Sequence, residues 1–178
     1  MLWEYYFLKA LESLQTPVLN TIMAVLSFLG NGGLLWITLG VLLCIKAKTR
    51  HIGIDVLLSI VVTFIIGNLI LKNVIDRQRP YEVYEALVPL ITKPSDASFP
   101  SGHTMNGFTA ATAVCLHKKK AGIAALSAAA LIAFSRLYNQ VHFPTDIMGG
   151  IVVGVSIAIL VHVMMKKLHA RQIKMTEA

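Results

Sequence analysis

Residues 52–71, IGIDVLLSIVVTFIIGNLIL, run for twenty positions with a single charge, Asp55. A helix crossing bilayer hydrocarbon needs roughly 17 to 25 mostly apolar residues, so this stretch reads as a membrane span. Working outward, similar runs cover Met105 to His117, Ala121 to Leu137 and Ile147 to Met165. Two shorter runs, Pro17 to Gly30 and Leu34 to Ile45, flank the turn-forming Asn31-Gly32-Gly33. The expected fold is all-α, a polytopic membrane helix bundle of about six transmembrane helices.

Composition agrees. Of 178 residues, 56% are hydrophobic and 14% charged, against about one quarter charged in soluble domains. A freely soluble globule, a disordered chain, a disulfide-stapled module and a coiled coil are excluded. The length suits a single membrane-embedded domain, 1–178. Cys44 and Cys115 sit in apolar runs without ligand spacing and read as packing residues. Glu4 and Glu12 fall among the first fifteen residues with no basic leader ahead of an apolar run, so no cleavable signal is expected. Within 1–15, Trp3, Tyr6, Phe7, Ala10, Leu11 and Leu14 fall at helical spacing opposite Glu4, Lys9 and Glu12. That pattern fits an amphipathic interfacial helix; the other reading is a start of the first span, kinked at Pro17.

The net charge is +7. With six crossings and a cytoplasmic N-terminus, Lys9, Lys46, Lys48, Arg50, Lys118, Lys119, Lys120, Lys166, Lys167, Arg171 and Lys174 fall inside. Lys72, Arg77, Arg79, Lys93 and Arg136 fall outside. Cytoplasmic loops collect Lys and Arg, so the excess reports orientation, and no nucleic-acid partner is needed to explain it. The expected localisation is a multi-pass cell-membrane protein with both termini cytoplasmic. The outer face then holds Pro80, Pro89, Pro94, Pro100 and Pro144 and the longest loop, about Asp76 to Ser101. A loop of that length is usually functional or disordered.

Three clusters converge on this face. Lys72 and Arg79-Pro80 are separated by six residues, about two helical turns, and two cations so placed can hold oxygens of one phosphate. A snorkelling Lys and an interfacial Arg are the plainer reading. Pro100-Ser101-Gly102-His103 precedes an apolar helix. Ser101 suits the N-cap, Gly102 admits a close ligand, and His103 exchanges protons near neutral pH. Ser135-Arg136 leads to His142 and Asp146, four apart around Pro144. An Asp that binds one imidazole nitrogen leaves the other free to attack; it can equally serve only the helix N-terminus. None of these clusters has zinc or magnesium ligand spacing, so no metal and no cofactor are expected.

The ordered set Lys-x6-Arg-Pro, Pro-Ser-Gly-His and Ser-Arg-x5-His-x3-Asp, at 72–80, 100–103 and 135–146, resembles the signature of the type 2 phosphatidic acid phosphatase superfamily. That superfamily holds integral-membrane lipid phosphatases, class A acid phosphatases and vanadium haloperoxidases. The resemblance implies a metal-independent hydrolase with catalytic His142, His103 and Asp146, and with Lys72, Arg79, Ser101, Gly102 and Arg136 binding phosphate. His142 would form a phosphohistidine, Asp146 would orient it, and His103 would protonate the leaving oxygen. Orthovanadate would inhibit and EDTA would not. The expected partner is a lipid phosphate or diphosphate at the extracytoplasmic face, with undecaprenyl diphosphate ahead of phosphatidate, phosphatidylglycerophosphate and diacylglycerol pyrophosphate. A haloperoxidase and a non-catalytic lipid carrier are the readings from other classes. The role of Arg77 and the oligomeric state stay open.

Overall fold

The computed structural model describes residues 2–176, with side chains to residue 170, so Arg171 and Lys174 of the charge pattern lie outside the described side chains. Helix α1 spans Leu2–Glu12, α2 Pro17–Leu29 and α3 Leu34–Ile45. Helix α4, Arg50–Thr63, continues through a π-helical segment, Phe64–Leu71, into α5, Lys72–Ile75. A short α6, Pro80–Val83, follows; then come α7, Gly102–His117, α8, Lys119–Tyr138, and α9, Pro144–Thr176. The described elements are all helical.

Helix α7 is the centre, packed against α4, α8 and α9. Its buried face is built from small residues, including Gly107, Thr109, Ala110, Ala111 and Ala113. In lipid, where burial of apolar area supplies little drive, close backbone approach and polar links hold helices together. A Cβ on Gly122 would stand 2.2 Å from Cys115 Cα, and one on Gly154 would stand 2.6 Å from the Met105 carbonyl oxygen. These glycines let α8 and α9 lie on α7. Thr109 Oγ1 adds bonds to Thr63 Oγ1 (2.9 Å) and Gly154 O (3.1 Å).

Three stretches are long and apolar enough to cross a membrane: Arg50–Val83, Lys119–Tyr138 and Pro144–Ala170. A fourth arises if α2 and α3, bent by 45° at their junction, act as one broken span. Helices α2, α3 and α7 are each too short to count singly as full spans. Gly32 and Gly33 take positive φ and fold the two short helices into one bent unit. At 16 residues, α7 is about 24 Å long, shorter than the hydrocarbon layer.

Helices α1 and α2 are tied to the end of α8 by side-chain hydrogen bonds. Gln140 Nε2 donates to Leu8 O, Asn139 Nδ2 to Met23 O, and Tyr138 Oη to Asn20 Oδ1. Helix α1 and the start of α2 thus lie where α8 ends, beside residue 142. The last side chains described on α9 lie at the opposite end, past His162, which bonds Asp55. Helix α1 buries Glu4, Leu8 and Leu11, while Trp3, Tyr6 and Phe7 face outward. Its polar Glu4 is therefore turned inward, opposite to the amphipathic reading.

Candidate active site

Where α4 and α5 end and α7 and α9 begin, a cavity of about 1450 Å³ opens. Lys72, Arg79, Gly102, His103, Arg136 and His142 line it together. Six of the eight residues expected from sequence thus converge, from segments separated by up to seventy positions. Apolar walls come from Val25 and Phe28 on α2, Ile37 on α3, Ile60 and Val61 on α4, and Phe64 at the start of the π-helical segment. A cationic end joined to an apolar groove suits an amphiphile with an anionic head.

His142 is 1% exposed. Its Nδ1 faces Asp146 Oδ2 at 3.4 Å and Ser98 Oγ at 3.5 Å; its Nε2 faces Arg79 Nη1 at 3.4 Å. The Asp146 carboxylate is fixed on every side. Oδ2 accepts from the Phe143 amide (2.8 Å) and Ser98 Oγ (2.5 Å), and Oδ1 accepts from Arg77 Nη1 (2.6 Å). So Asp146 holds Nδ1, and Nε2 is the nitrogen turned to the cations of the cavity. Burial, the largest effect, pushes the His142 imidazolium down to about 3. The bond to Asp146 opposes it, while the Arg79 and Arg136 cations reinforce it. A neutral imidazole carries the lone pair a nucleophile needs.

The cations are held by backbone and by one carboxylate. Arg79 donates to Val141 O (2.7 Å) and to Asp96 O (2.8 Å) and Oδ1 (2.7 Å). Lys72 pairs with Asp96 Oδ2. Lys72 follows the π-helical segment, and such segments recur where a helix re-aims a functional side chain. Arg136 is bonded to Ser27 Oγ, while its Nε–H is buried with no partner among the described residues. A buried guanidinium N–H without a partner is costly unless an acceptor arrives.

His103 begins α7 and directs Nε2 at Asn31 Oδ1 (3.0 Å) and Ser27 O (3.2 Å), which anchors that nitrogen. Gly102 lines the cavity, and a Cβ there would stand 3.5 Å from Asn68 Oδ1, an ordinary contact. Ser101 holds the expected N-cap position of α7 but makes no side-chain cap bond. It is fully buried, does not line the cavity, and its hydroxyl accepts from Thr104 Oγ1 (3.0 Å) rather than capping α7. Its amide instead donates to Asp146 O (3.1 Å), tying the start of α7 to the start of α9.

Sequence reasoning missed the roles of Asp96, Asn68 and Glu4 and left that of Arg77 open. Asp96 bridges Lys72 and Arg79 as an internal anion; Lys72 and then Arg79 overcome the effect of burial and hold its carboxyl down at about 2. Asn68 lines the cavity with a buried, unpartnered Oδ1. It stands four residues before Lys72, a spacing visible in the sequence. Arg77 turns away from the cavity, onto Asp146 and onto Glu4 Oε2 (2.8 Å), with the Phe143 ring 4.3 Å beneath its guanidinium carbon. Glu4, fully buried, also receives the Thr145 hydroxyl (2.5 Å). No short-range pattern links residue 4 to residues 77 and 145.

The PAP2 superfamily model matches residues 52–170. An undecaprenyl-diphosphatase of Sulfolobus acidocaldarius is 34% identical over 153 residues, covering 85% of this chain and 73% of that protein. Phosphatidylglycerophosphatase B of Bacillus subtilis is 32% identical over 169 residues, covering 86% and 78%. The crystal structure of a transmembrane PAP2-type phosphatidylglycerolphosphate phosphatase from Bacillus subtilis superposes with a TM-score of 0.75 at 30% identity, covering 92% of this chain and 85% of that one.

Proposed function

The chain belongs to the PAP2 superfamily and is a multi-pass membrane lipid phosphatase, and on that premise we propose that it removes the terminal phosphate of undecaprenyl diphosphate through a phosphohistidine on His142. The observation that carries the proposal is the cavity itself. One part offers His142 Nε2, Lys72, Arg79 and the unpartnered Arg136 Nε–H; another is lined by apolar residues of α2, α3 and α4.

The geometry supports the following steps. His142 Nε2 bonds to phosphorus as the bond from phosphorus to the leaving oxygen breaks. Asp146 stabilises the imidazolium that forms. Lys72, Arg79, Arg136 and the Gly102 amide take the non-bridging oxygens, stabilising charge as it shifts. His103, whose Nε2–H is anchored on Asn31 Oδ1 and Ser27 O, takes a second proton on Nδ1 and, as the imidazolium, gives that proton to the departing oxygen. Water then attacks the phosphohistidine, gives its proton back to His103 and releases phosphate. Ser101 acts by position, holding Gly102 in place.

Two features support the diphosphate. The cationic end carries three basic side chains, enough for two adjacent phosphates, and relatives bearing the undecaprenyl-diphosphatase name match most of this chain. Phosphatidylglycerophosphate is the second reading, favoured by the Bacillus subtilis relative and its fold.

We also propose one domain, with the cavity extracytoplasmic and α1 lying in the interface there. Lys46, Lys48, Arg50, Lys118, Lys119, Lys120, Lys166 and Lys167 gather at the far end, the pattern expected of the cytoplasmic side. Phosphate release by the purified protein in detergent tests the substrate, with C55 polyprenyl diphosphate, phosphatidylglycerophosphate and phosphatidate ranked by kcat/KM. The proposal requires the polyprenyl diphosphate to rank first; a higher value for either glycerolipid overturns it.

A further inference from the structure

At the end of the bundle opposite His142, three helices bring together residues that no sequence spacing connects. Asp55 of α4 is 3% exposed and has its Oδ2 2.6 Å from His117 Nε2 at the end of α7 and 2.8 Å from His162 Nδ1 on α9. The three ligand atoms lie within 4.8 Å of one another. The second carboxylate oxygen, Asp55 Oδ1, is buried with no partner among the described residues, and so is Ser59 Oγ one turn along α4. The imidazoles of His117 and His162 pack edge to face at 4.7 Å, and that of His51 packs on His117 at 5.0 Å.

An ionisable side chain inside a membrane bundle is expensive, and this one is only half satisfied by its two imidazoles. We propose that Asp55, His117 and His162 form a binding site for a divalent transition-metal ion of the zinc type. Two imidazoles and a carboxylate are a ligand set that zinc accepts, with the fourth position open to water. Ligands at zinc distances stand about 3.3 Å apart in a tetrahedron. The observed pairs therefore need to spread by about 0.6 Å, and His117 ends its helix where such movement is easiest. Each ring turns a lone pair to the ion and carries its proton on the other nitrogen. The unpartnered Oδ1 is then near a cation.

The position assigns the role. Helix α7 alone separates the two ends of the bundle by about 24 Å. An ion held by Asp55 therefore cannot touch phosphate at His142. It joins instead the far ends of α4, α7 and α9, whose other ends lead to Lys72, carry His103 and carry Asp146. The ion is a clasp on the helices that aim the active site.

The test uses the full chain purified in detergent, stripped with chelator and titrated with Zn²⁺, or with Co²⁺ as a spectroscopic probe. One ion per chain should survive desalting, Zn²⁺ should raise the melting temperature, and bound Co²⁺ should show the intense visible absorption of four- or five-coordinate ligation. His162→Gln and Asp55→Asn should each weaken binding by at least about 100-fold, more than loss of an outer-shell partner does. His162→Gln should keep wild-type kcat/KM below its melting point. His169→Gln should bind as the wild type does. The proposal is overturned if wild-type protein retains no ion, if Co²⁺ shows only its weak six-coordinate spectrum, or if His162→Gln binds with unchanged affinity.

Discussion

Arg77 Nη1 stands 2.6 Å from Asp146 Oδ1, the carboxylate oxygen that His142 does not use. The other half of the guanidinium is held by Glu4. A relay thus runs from the first helix through Arg77 and Asp146 to Nδ1 of His142. Asp146 is aimed by a planar fork, and a lysine cannot reproduce that geometry.

Arg77→Lys should therefore lower kcat by about 10- to 100-fold with KM changed less than about twofold, the size of effect seen when a supporting partner is lost. Glu4→Gln should act in the same direction. Steady-state kinetics decide this: a raised KM with intact kcat would make Arg77 a headgroup ligand instead.

Asp96 occupies Lys72 and Arg79, two of the groups assigned to phosphate, so substrate must displace it. Its carboxylate is half exposed, and an ion pair of that kind is worth about 1 kcal/mol. Asp96→Ala should tighten competitive inhibition by orthovanadate about fivefold. Weaker inhibition would show that Asp96 arranges the cations rather than competing for them.

Two kinds of glycine should behave differently. Gly122→Ala forces a Cβ against Cys115 Cα and should destabilise the protein by about 1–3 kcal/mol, as overpacking does. Gly102→Ala meets only an ordinary contact and should leave the melting temperature nearly unchanged, yet lower kcat/KM by crowding the phosphate. Thermal melting and turnover of both variants check this. Normal activity in Gly102→Ala would remove its amide from the phosphate site.

These contrasts show what the sequence could carry. The residues of the three signature segments were readable because each pattern is local and its chemistry is legible in one stretch. The relay was not. Glu4 looked like the wet face of an amphipathic helix, and only docking beside residue 145 turns it inward. The Asp55 cluster was hidden similarly, since its members are 62 and 45 residues apart. Nor could hydropathy distinguish two crossings from one broken span at Gly32-Gly33, because both present the same apolar residues.

Burial keeps His142 neutral in the folded protein well below its ordinary value of 6.5. The unfolded chain binds that proton more readily, so stability should fall as pH drops from about 6.5 towards 3. His142→Gln should lose this component. Melting temperatures of both proteins across that window test it; identical pH dependence would mean that His142 is solvated and protonates normally. In turnover, an acid limb near neutral pH would belong to a group other than His142.

The central claim is that phosphorus passes through the Nε2 atom of His142. Acid-labile phosphate can be trapped by quenching the purified enzyme in base during turnover of radiolabelled polyprenyl diphosphate, then mapped by peptide mass spectrometry. The account predicts label on the peptide holding His142 and its loss in His142→Ala. Label on any other residue, or undiminished phosphate release by His142→Ala, would contradict it.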